Sequence, residues 1–244
     1  MKYTYDLHIH SALSPCGEEE MTPNNIVNMA VVNGLDIIAV ADHNSGGNLQ
    51  AISRCAEGRS LIFIPGIEVE TIEEVHMLCL FGTVKDALDM AKVLDANRTP
   101  VKNHPEIFGR QLLLDHMDRV VGQVEELLIF SMGLTVEEVF HLVDKREGCA
   151  IFAHVDRESN SVFPLLGDLP KDLPTGVIEI TNTKRGREFL AHHRELEEKM
   201  LLLSSDSHRL ETINRGEATL EISIDRRDMT PRRFVSWLRE KQEE

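Results

Sequence analysis

The sequence predicts one α/β domain in which parallel strands alternate with crossover helices around a barrel-like core. The chain has 244 residues, a length typical of a single α/β barrel, and 42% of them are hydrophobic, enough for a full core. Short apolar runs alternate with helical patterns along most of the sequence, which favours βαβ units. We therefore expect a single domain over residues 1–244.

Each element can be placed from its periodicity and its end signals. Thr22 and Pro23 begin a helix that Gly34 ends, and Thr135 with Glu138 forms a capping box at the start of another. The predicted strands are residues 4–9, 35–42, 61–71, 76–81, 149–154, 176–180, 200–208 and 218–224. The predicted helices are residues 22–34, a segment starting near Asn48, 84–97, 135–148, 186–199 and 230–241.

Two segments interrupt this alternation. Residues 98–134 have weak periodicity, and we interpret them as an insertion that folds back over one face as a lid. An ordinary surface subdomain is the alternative. Residues 156–174 form a second long connection.

The charge balance limits the choice of partner. Lysine and arginine number 26 against 41 acidic residues, so the net charge is −15. Such a surface repels a phosphate backbone, and there is no basic stripe, so we expect no long nucleic acid as partner. A phosphorylated substrate would need a local reversal of the field, which bound divalent metals supply.

The cysteines and the N-terminus predict a compartment. The four cysteines, Cys16, Cys55, Cys79 and Cys149, show no C-x-x-C pair, which fits a reduced setting. No apolar leader opens the chain and no apolar run is long enough to span a bilayer. We therefore expect a cytoplasmic protein that does not enter a membrane; its oligomeric state cannot be predicted from these features.

The first strand carries two histidines one residue apart. Alternation along a strand places Asp6, His8 and His10 on one face, opposite Leu7 and Ile9. Two imidazoles on one face can bind the same metal ion. With 11 histidines in the chain, however, such a pair is not unusual on composition alone.

Other strand ends carry the same types of side chain. These are Asp42 and His43, Glu68, His154, and Asp206 with His208. Parallel barrels place their active sites at the carboxyl ends of their strands. An apolar strand has no structural need for such an ending, so the repetition favours a metal site.

Five ordered motifs, "DLHIHS", "ADHN", "PGIEVET…HMLCLF", "AHVD" and "SSDSH", resemble those of the PHP (polymerase and histidinol phosphatase) family. The resemblance extends from residue 6 to about residue 210 and is greatest to the small stand-alone PHP phosphoesterases. It implies a distorted (β/α)7 TIM-like barrel, with a cluster of two or three metal ions at the strand ends. Those ions would be manganese, zinc or iron.

The resemblance also implies roles for individual residues. His8, His10, Glu68 and Asp206 would hold the first metal, His43 and His208 the second, and His76 and His154 the third, with Glu68 as bridge. Cys16 stands where many relatives have histidine or aspartate. It either ligates a soft metal such as zinc or iron, or leaves that position to water. The alternative is a loop cysteine without contacts.

Such a cluster suits hydrolysis of a phosphomonoester by a metal-activated water. Glu68, Asp206 and His208 would be the catalytic residues, with His208 or a metal-bound water as proton donor. Arg157, Arg185 (beside Lys184) and Arg209 are candidates for the substrate phosphate, although single basic residues are more often solvated. The substrate would be a small phosphorylated molecule, a nucleotide, the 5′ end of a short oligonucleotide, or histidinol phosphate.

Two other interpretations stay open. An amidohydrolase is also a metal barrel that begins with H-x-H, but commonly has a bridging lysine on a strand end, and none is found here. A PHP-like module without catalysis is the second alternative. The apparently complete ligand set speaks against it.

Overall fold

A computed structural model describes residues 1–181 and 184–244. Its main sheet has eight strands in the order β10-β1-β2-β3-β4-β7-β8-β9, and β5 and β6 form a separate pair. The strands are β1 (Lys2–Ile9), β2 (Ile37–His43), β3 (Ile62–Glu70), β4 (His76–Leu80), β5 (Leu112–Leu114), β6 (Val120–Gln123), β7 (Cys149–Phe152), β8 (Val177–Thr181), β9 (Met200–Ser204) and β10 (Thr219–Glu221). The alternating apolar runs thus formed the strands of an α/β fold, as predicted.

Eight α-helices accompany the sheet in the described residues: α1 (Pro23–Val32), α2 (Leu49–Ala56), α3 (Val84–Asn97), α4 (Pro105–Phe108), α5 (Val136–Asp144), α6 (Val162–Leu166), α7 (Lys184–His192) and α8 (Pro231–Gln242). The Thr22 cap and the Thr135–Glu138 capping box are both present, as predicted. The helix predicted over residues 186–199 instead ends at His192 and is followed by a short 3-10 turn, Arg194–Leu196. No helix in residues 1–181 or 184–244 combines the length and apolarity needed to cross a membrane.

The prediction of parallel strands throughout was wrong at two strands. β4 is antiparallel to both β3 and β7, and β10 is antiparallel to β1. Only residues 71–75 join β3 to β4, with Thr71 N–H donating to Val75 O at 3.0 Å. So short a connection cannot hold a crossover helix, and the chain has to reverse.

The sheet curls until its two ends approach each other. Ile9 pairs with Ser207 in an isolated parallel bridge. His10 N–H donates to Ser207 O at 2.9 Å, and Ser207 N–H donates to His8 O at 3.2 Å. The two histidines of β1 therefore lie beside the residues that follow β9.

The curled sheet has an apolar layer on each face. On its outer face, side chains such as Val40 and Phe152 pack with α1, α2, α3 and α5. On its inner face, side chains such as Ile64 and Leu202 pack with Phe234 of α8. The inner layer occupies the half of the interior that lies nearest the start of the parallel strands, and the other half holds the site.

Residues 98–134, called the insertion below, contain β5, β6 and α4. The insertion packs against the loops that follow β1 and β2. Asn44 donates its side-chain amide to Leu128 O at 2.8 Å and to Phe130 O at 3.1 Å. Asn48 donates its side-chain amide to Leu112 O at 3.0 Å, and its side-chain oxygen accepts the backbone N–H of Leu114 at 2.9 Å. These two asparagines fix the insertion to the edge of the sheet from which the predicted ligands project.

Candidate metal centre

Glu68 lies at the centre of a buried cluster of histidines. Its side chain lies on the inner face of β3 and is 1% exposed. One carboxylate oxygen lies 2.8 Å from His76 Nδ1 and 3.1 Å from His154 Nε2, and the other lies 2.9 Å from His43 Nδ1. Three separate strand ends or loops thus bring an imidazole to one carboxylate.

A second group adjoins the first on the side of β1. His10 Nε2 lies 3.2 Å from His8 Nε2 and 2.9 Å from Asp206 Oδ1. Both imidazoles also lie 3.4 Å from Glu68, one against each carboxylate oxygen. The side chains predicted for the first metal therefore meet within the described residues.

Three sets of ligand atoms lie within 4.8 Å of one another: His8, His10, Glu68 and Asp206; His10, His43 and His208; and His43, Glu68 and His76. Glu68 belongs to two of these sets, as a bridging carboxylate would.

His76 joins the cluster for a reason that the sequence analysis missed. It is the first residue of β4, whereas we expected all ligands at strand carboxyl ends. Because β4 is antiparallel to β3, its first residue lies at the same edge as the last residues of β3, opposite Glu70. The strand reversal therefore supplies a ligand position.

Several polar atoms in the cluster have no hydrogen-bond partner among the described residues. His43 Nδ1 and Glu68 Oε2 are both buried and unpaired although they are only 2.9 Å apart, and His154 Nδ1 is unpaired as well. Buried polar atoms are rarely left unsatisfied, because each such atom costs about 1–3 kcal/mol. Lone pairs that converge without bonding to one another fit a cation, and nitrogen with carboxylate oxygen is a donor set for zinc, manganese or iron.

The electrostatics also favour a cation. Burial alone would raise the pKa of Glu68, but the imidazoles of His76 and His8 hold it well below its usual range. Burial would also raise the pKa of Asp206, and the same type of neighbours lowers it well below its usual range. Both carboxylates thus stay ionised in a nearly dry site, and positive charge is needed beside them.

His8 shows the same demand for positive charge. Its burial would lower its pKa, but Glu179, Glu68 and Asp206 raise it well above its usual range. A proton on His8 therefore partly substitutes for a metal charge. A metal ion would have to displace such protons on binding.

Cys16 lies at the outer side of the cluster, beside His43 and His208. The residue is exposed, and it belongs to none of the three sets of ligand atoms. Partial burial would raise the pKa of its thiol, but hydrogen bonds with His208 and His43 outweigh this and lower it to about 6. The two residues predicted for the second metal thus influence the pKa of this thiol.

Glu179 is a functional candidate that the sequence analysis missed. It projects from β8 onto the inner face and is 1% exposed. Its carboxylate lies 3.0 and 3.2 Å from His8 Nδ1, and it accepts the backbone N–H of His154 at 3.0 Å. A carboxylate can only accept, so His8 carries its proton on Nδ1 and turns Nε2 toward the cluster. The available signal was a glutamate within the apolar strand "GVIEI".

Asp42, noted at the end of β2, does not contact the ligand atoms directly. It accepts the hydroxyls of Ser11 at 2.6 Å and Ser14 at 2.7 Å, and Ser14 Oγ lies 2.9 Å from His10 Nδ1. The hydrogen bonds from Asp42 through Ser14 thus orient the His10 ring, as Glu179 orients the His8 ring.

Asp6 does not share a face with the cluster, contrary to prediction. It accepts bonds from the backbone N–H groups of Ser205 and Asn214, both at 3.0 Å. The pairing of β1 with β2 shifts register between Asp6 and Ile9, which breaks the regular alternation. Asp6 instead ties β1 to the loop after β9.

Two of the predicted ligands have unusual backbone angles. His154 has φ of 30° and Asp206 has φ of 49°. Positive φ is costly for residues with a Cβ, and such strain gathers at functional sites. The strain lies where β7 and β9 end and their side chains turn into the cluster.

The three predicted phosphate-binding arginines lie in different surroundings. Arg157 forms an ion pair with Asp206 Oδ2 at 2.5 Å and so reaches the cluster. Arg185 pairs with Glu158 at 2.9 Å, and Arg209 pairs with Glu18 at 3.2 Å. Lys184 lies 3.4 Å from Glu188 on its own helix. Arg157 is therefore the basic candidate that the structure brings to the ligands.

Comparison with known proteins gives a partial relative. No family model matches the chain. The 5′-3′ exoribonuclease Rnm of Salmonella typhimurium is 34% identical over 82 residues, which are 32% of this chain and 26% of that protein. The chain thus spans about a quarter of this curated relative.

Solved structures resemble most of the chain. The lesion-specific endonuclease Q of Pyrococcus furiosus has a TM-score of 0.66 at 19% identity, covering 98% of this chain and 56% of that one. A protein described as a metal-dependent phosphoesterase, from Bifidobacterium adolescentis, has a TM-score of 0.56 at 18% identity over 84% of this chain and 87% of that one. An amidohydrolase from Chromobacterium violaceum has a TM-score of 0.55 at 16% identity, covering 90% of this chain and 92% of that one. At such identities the likeness concerns the fold alone, which here is an α/β fold built on a curled eight-stranded sheet.

Proposed function

We propose that this chain is a metal-dependent phosphoesterase of the PHP type that hydrolyses a phosphomonoester. The observation that carries the proposal is the set of buried, converging ligand atoms around Glu68, of which His43 Nδ1 and Glu68 Oε2 have no hydrogen-bond partner among the described residues. Seven strands of the main sheet, β1 to β4 and β7 to β9, together with the Ile9–Ser207 bridge support a distorted (β/α)7 barrel as its frame. The ordered motifs and the fold of the structural neighbours agree with this proposal.

The described residues offer ligands for two or three divalent ions. His8, His10, Glu68 and Asp206 would hold the first; His43, His208 and Cys16 the second; and His76 and His154, with Glu68 as bridge, the third. Bound there, such ions would acidify a water and neutralise the attacked phosphoryl group. Glu68 would keep neighbouring ions at a fixed separation, and Glu179 would hold His8 in the ligating tautomer.

Arg157 and His208 have proposed roles toward the substrate. The Arg157 guanidinium is 41% exposed while it pairs with Asp206, so one side remains open to a phosphate oxygen. His208 is 25% exposed. Its Nδ1 lies 3.0 Å from Asp206 O, which leaves Nε2 for either a metal or a proton. Because a metal-bound nitrogen carries no proton, ligation and proton donation by Nε2 exclude each other.

A small phosphorylated substrate fits the charge of the chain, and a nucleotide or the 5′ end of a short oligonucleotide is the class we favour. The partial relative is named an exoribonuclease and one structural neighbour an endonuclease, so a nucleotide phosphate is the chemistry common to these names. The insertion beside His43 would act as the lid of such a site. A net charge of −15 disfavours a long polymer.

An amidohydrolase is the second candidate, because one structural neighbour bears that name. Among the residues described, no strand of the main sheet ends in the lysine that commonly bridges the metals of such enzymes. A third set of ligands also exceeds the needs of a two-metal amide site. Both features favour phosphate ester hydrolysis.

The test is metal analysis combined with a substrate panel. Purified protein loaded with manganese or zinc should retain two or three ions per chain and should hydrolyse p-nitrophenyl phosphate or a nucleoside monophosphate. Fewer than one ion per chain would exclude the metal cluster. Turnover of cyclic amides without turnover of any phosphomonoester would support the amidohydrolase, and retained metal with no turnover would support a binding module.

A further inference from the structure

Two aromatic side chains of the insertion stand out by their exposure. Phe130 is 40% and Phe108 is 37% exposed. The other aromatic residues of the described chain are buried or partly buried in its two apolar layers. A single exposed apolar residue is ordinary, so position has to decide whether these two have a use.

Phe130 is held next to the ligands on the side of β2 and β3. Its carbonyl accepts the side-chain amide of Asn44, the residue after His43, at 3.1 Å. Two residues later, Met132 N–H donates to Glu70 O at 2.8 Å, and the Glu70 carboxylate lies 3.6 Å from His76 Nε2. The backbone around Phe130 is thus anchored at both sides to residues that adjoin the cluster.

Phe108 is held next to the ligands on the side of β1. It ends α4, and Gly109 follows it. Gly109 lies so close to Pro15 that an added Cβ would be 2.0 Å from Pro15 O. Pro15 directly follows Ser14, whose hydroxyl lies 2.9 Å from His10 Nδ1. The two exposed phenylalanines therefore lie on loops that flank the same group of ligands.

We infer that Phe108 and Phe130 form a stacking surface for the nucleobase of the substrate. The inference rests on the proposed function, which places the substrate phosphate at the cluster. Stacking on an aromatic face is largely independent of charge and accepts any base. It therefore suits a chain whose net charge of −15 opposes the binding of a polyanion.

The test compares two substrates that share a phosphate but differ in the base: adenosine 5′-monophosphate and ribose 5-phosphate. Phe130→Ala should raise the KM for the nucleotide about 5- to 100-fold, the range expected for loss of one stacked base. Phe108→Ala should also raise the KM for the nucleotide. Phe130→Trp keeps an aromatic face, so its KM for the nucleotide should stay close to that of the wild type. The KM for ribose 5-phosphate should not change. Met117→Ala is the matched control, because Met117 is 63% exposed on the same insertion but lies between residues that bond Asn24 of α1.

Equal weakening of both substrates, or no change for the nucleotide in the Phe108→Ala/Phe130→Ala double variant, would overturn the inference. Binding is measured separately from turnover by tryptophan fluorescence of the Phe130→Trp variant in a Trp237→Phe background. Quenching by the nucleotide but not by ribose 5-phosphate supports stacking even if neither compound is hydrolysed, in which case only the proposed function fails. Absence of quenching overturns the stacking surface whatever the turnover.

Discussion

The inner face of the sheet has two halves, and β3 passes through both. Ile64 lies in the apolar half, fully buried against neighbours from other strands and α8. Glu68 lies four residues further along the same face, fully surrounded by imidazoles and carboxylates. Between them, a side chain at Gly66 would be crowded, since a Cβ would lie 3.1 Å from both Ala41 Cβ and Val40 O. One strand thus serves packing at one end and ligand placement at the other.

The difference between these halves concerns what each tolerates. An apolar layer accepts exchanges that preserve volume, because burial energy depends on area and not on particular atoms. The ligand half depends on particular lone pairs within a few tenths of an ångström, and it stores buried charge and strained backbone at His154 and Asp206. Stability should therefore respond mainly to the first half, and activity to the second.

The largest expected effect is that of Glu68→Gln. An amide of the same shape removes the negative charge and bridges two ions poorly. We expect metal content to fall and turnover to decrease by more than the roughly 10- to 100-fold loss typical of residues that only orient ligands. Elemental analysis and kcat of the purified variant measure this.

Glu70→Gln is the matched control on the same strand, because the Glu70 carboxylate adjoins the cluster at His76, at 3.6 Å, and belongs to none of the three sets of ligand atoms. It should retain most of the activity. Near-normal rates for Glu68→Gln together with complete loss in His76→Ala would show that the bridge is assigned to the wrong residue.

A smaller loss of metal binding is expected for Glu179→Gln, because Glu179 lies where the apolar half meets the ligand half. Glu179 pairs in register with the apolar Leu202 but bonds His8 and the backbone of His154. The amide cannot accept both N–H groups as strongly, so the His8 ring loses its support and its basicity. We expect metal affinity to fall roughly 10- to 100-fold, measured by competition with a chelator.

Glu179→Asp keeps the negative charge, so metal affinity should fall less in this variant than in Glu179→Gln. Metal affinity should also weaken as the pH falls from 8 to 6, because the raised pKa of His8 lets protons compete for the ring. An unchanged affinity in both variants would mean that Glu179 serves the core and not the metal centre.

Which polar side chains would meet could be predicted better from the sequence than the strand topology could. His8, His10, Glu68 and Asp206 could be named because each follows or interrupts an apolar run, where a polar group has no packing role. The reversal at β4 could not be predicted from periodicity, since a strand pattern has no direction; the five-residue connection before His76 was the missed signal. Asp6 was misplaced because a register shift leaves no mark in the residue pattern.

Cys16→Asp should change metal preference more than turnover. A carboxylate oxygen suits manganese, and a thiolate suits zinc. We expect the ratio of manganese-supported to zinc-supported phosphatase activity to rise, with a matching change in the metals retained. Cys55→Asp is the control, because the Cys55 thiol faces His116 O at 3.5 Å on another part of the chain. An unchanged metal profile in Cys16→Asp would place the thiol outside the coordination sphere.

The smallest effect on turnover, and the sharpest test of the comparison, is expected from Ile64→Ala. Ile64 shares strand and face with Glu68, is fully buried and packs only in the apolar half. Removing its side chain loses transfer energy and leaves a cavity, which costs about 2–5 kcal/mol of unfolding free energy, against about 0.5–1.5 kcal/mol for Ile64→Val. Because Glu179 and Ser14 orient the rings of His8 and His10 from outside the apolar half, the metal content and kcat of the folded fraction should stay those of the wild type. Denaturant unfolding and kcat, measured on the same preparation, separate the two quantities. A loss of activity that follows the loss of stability across both variants would show that the halves are coupled through β3, and that the apolar layer helps to set the ligand geometry.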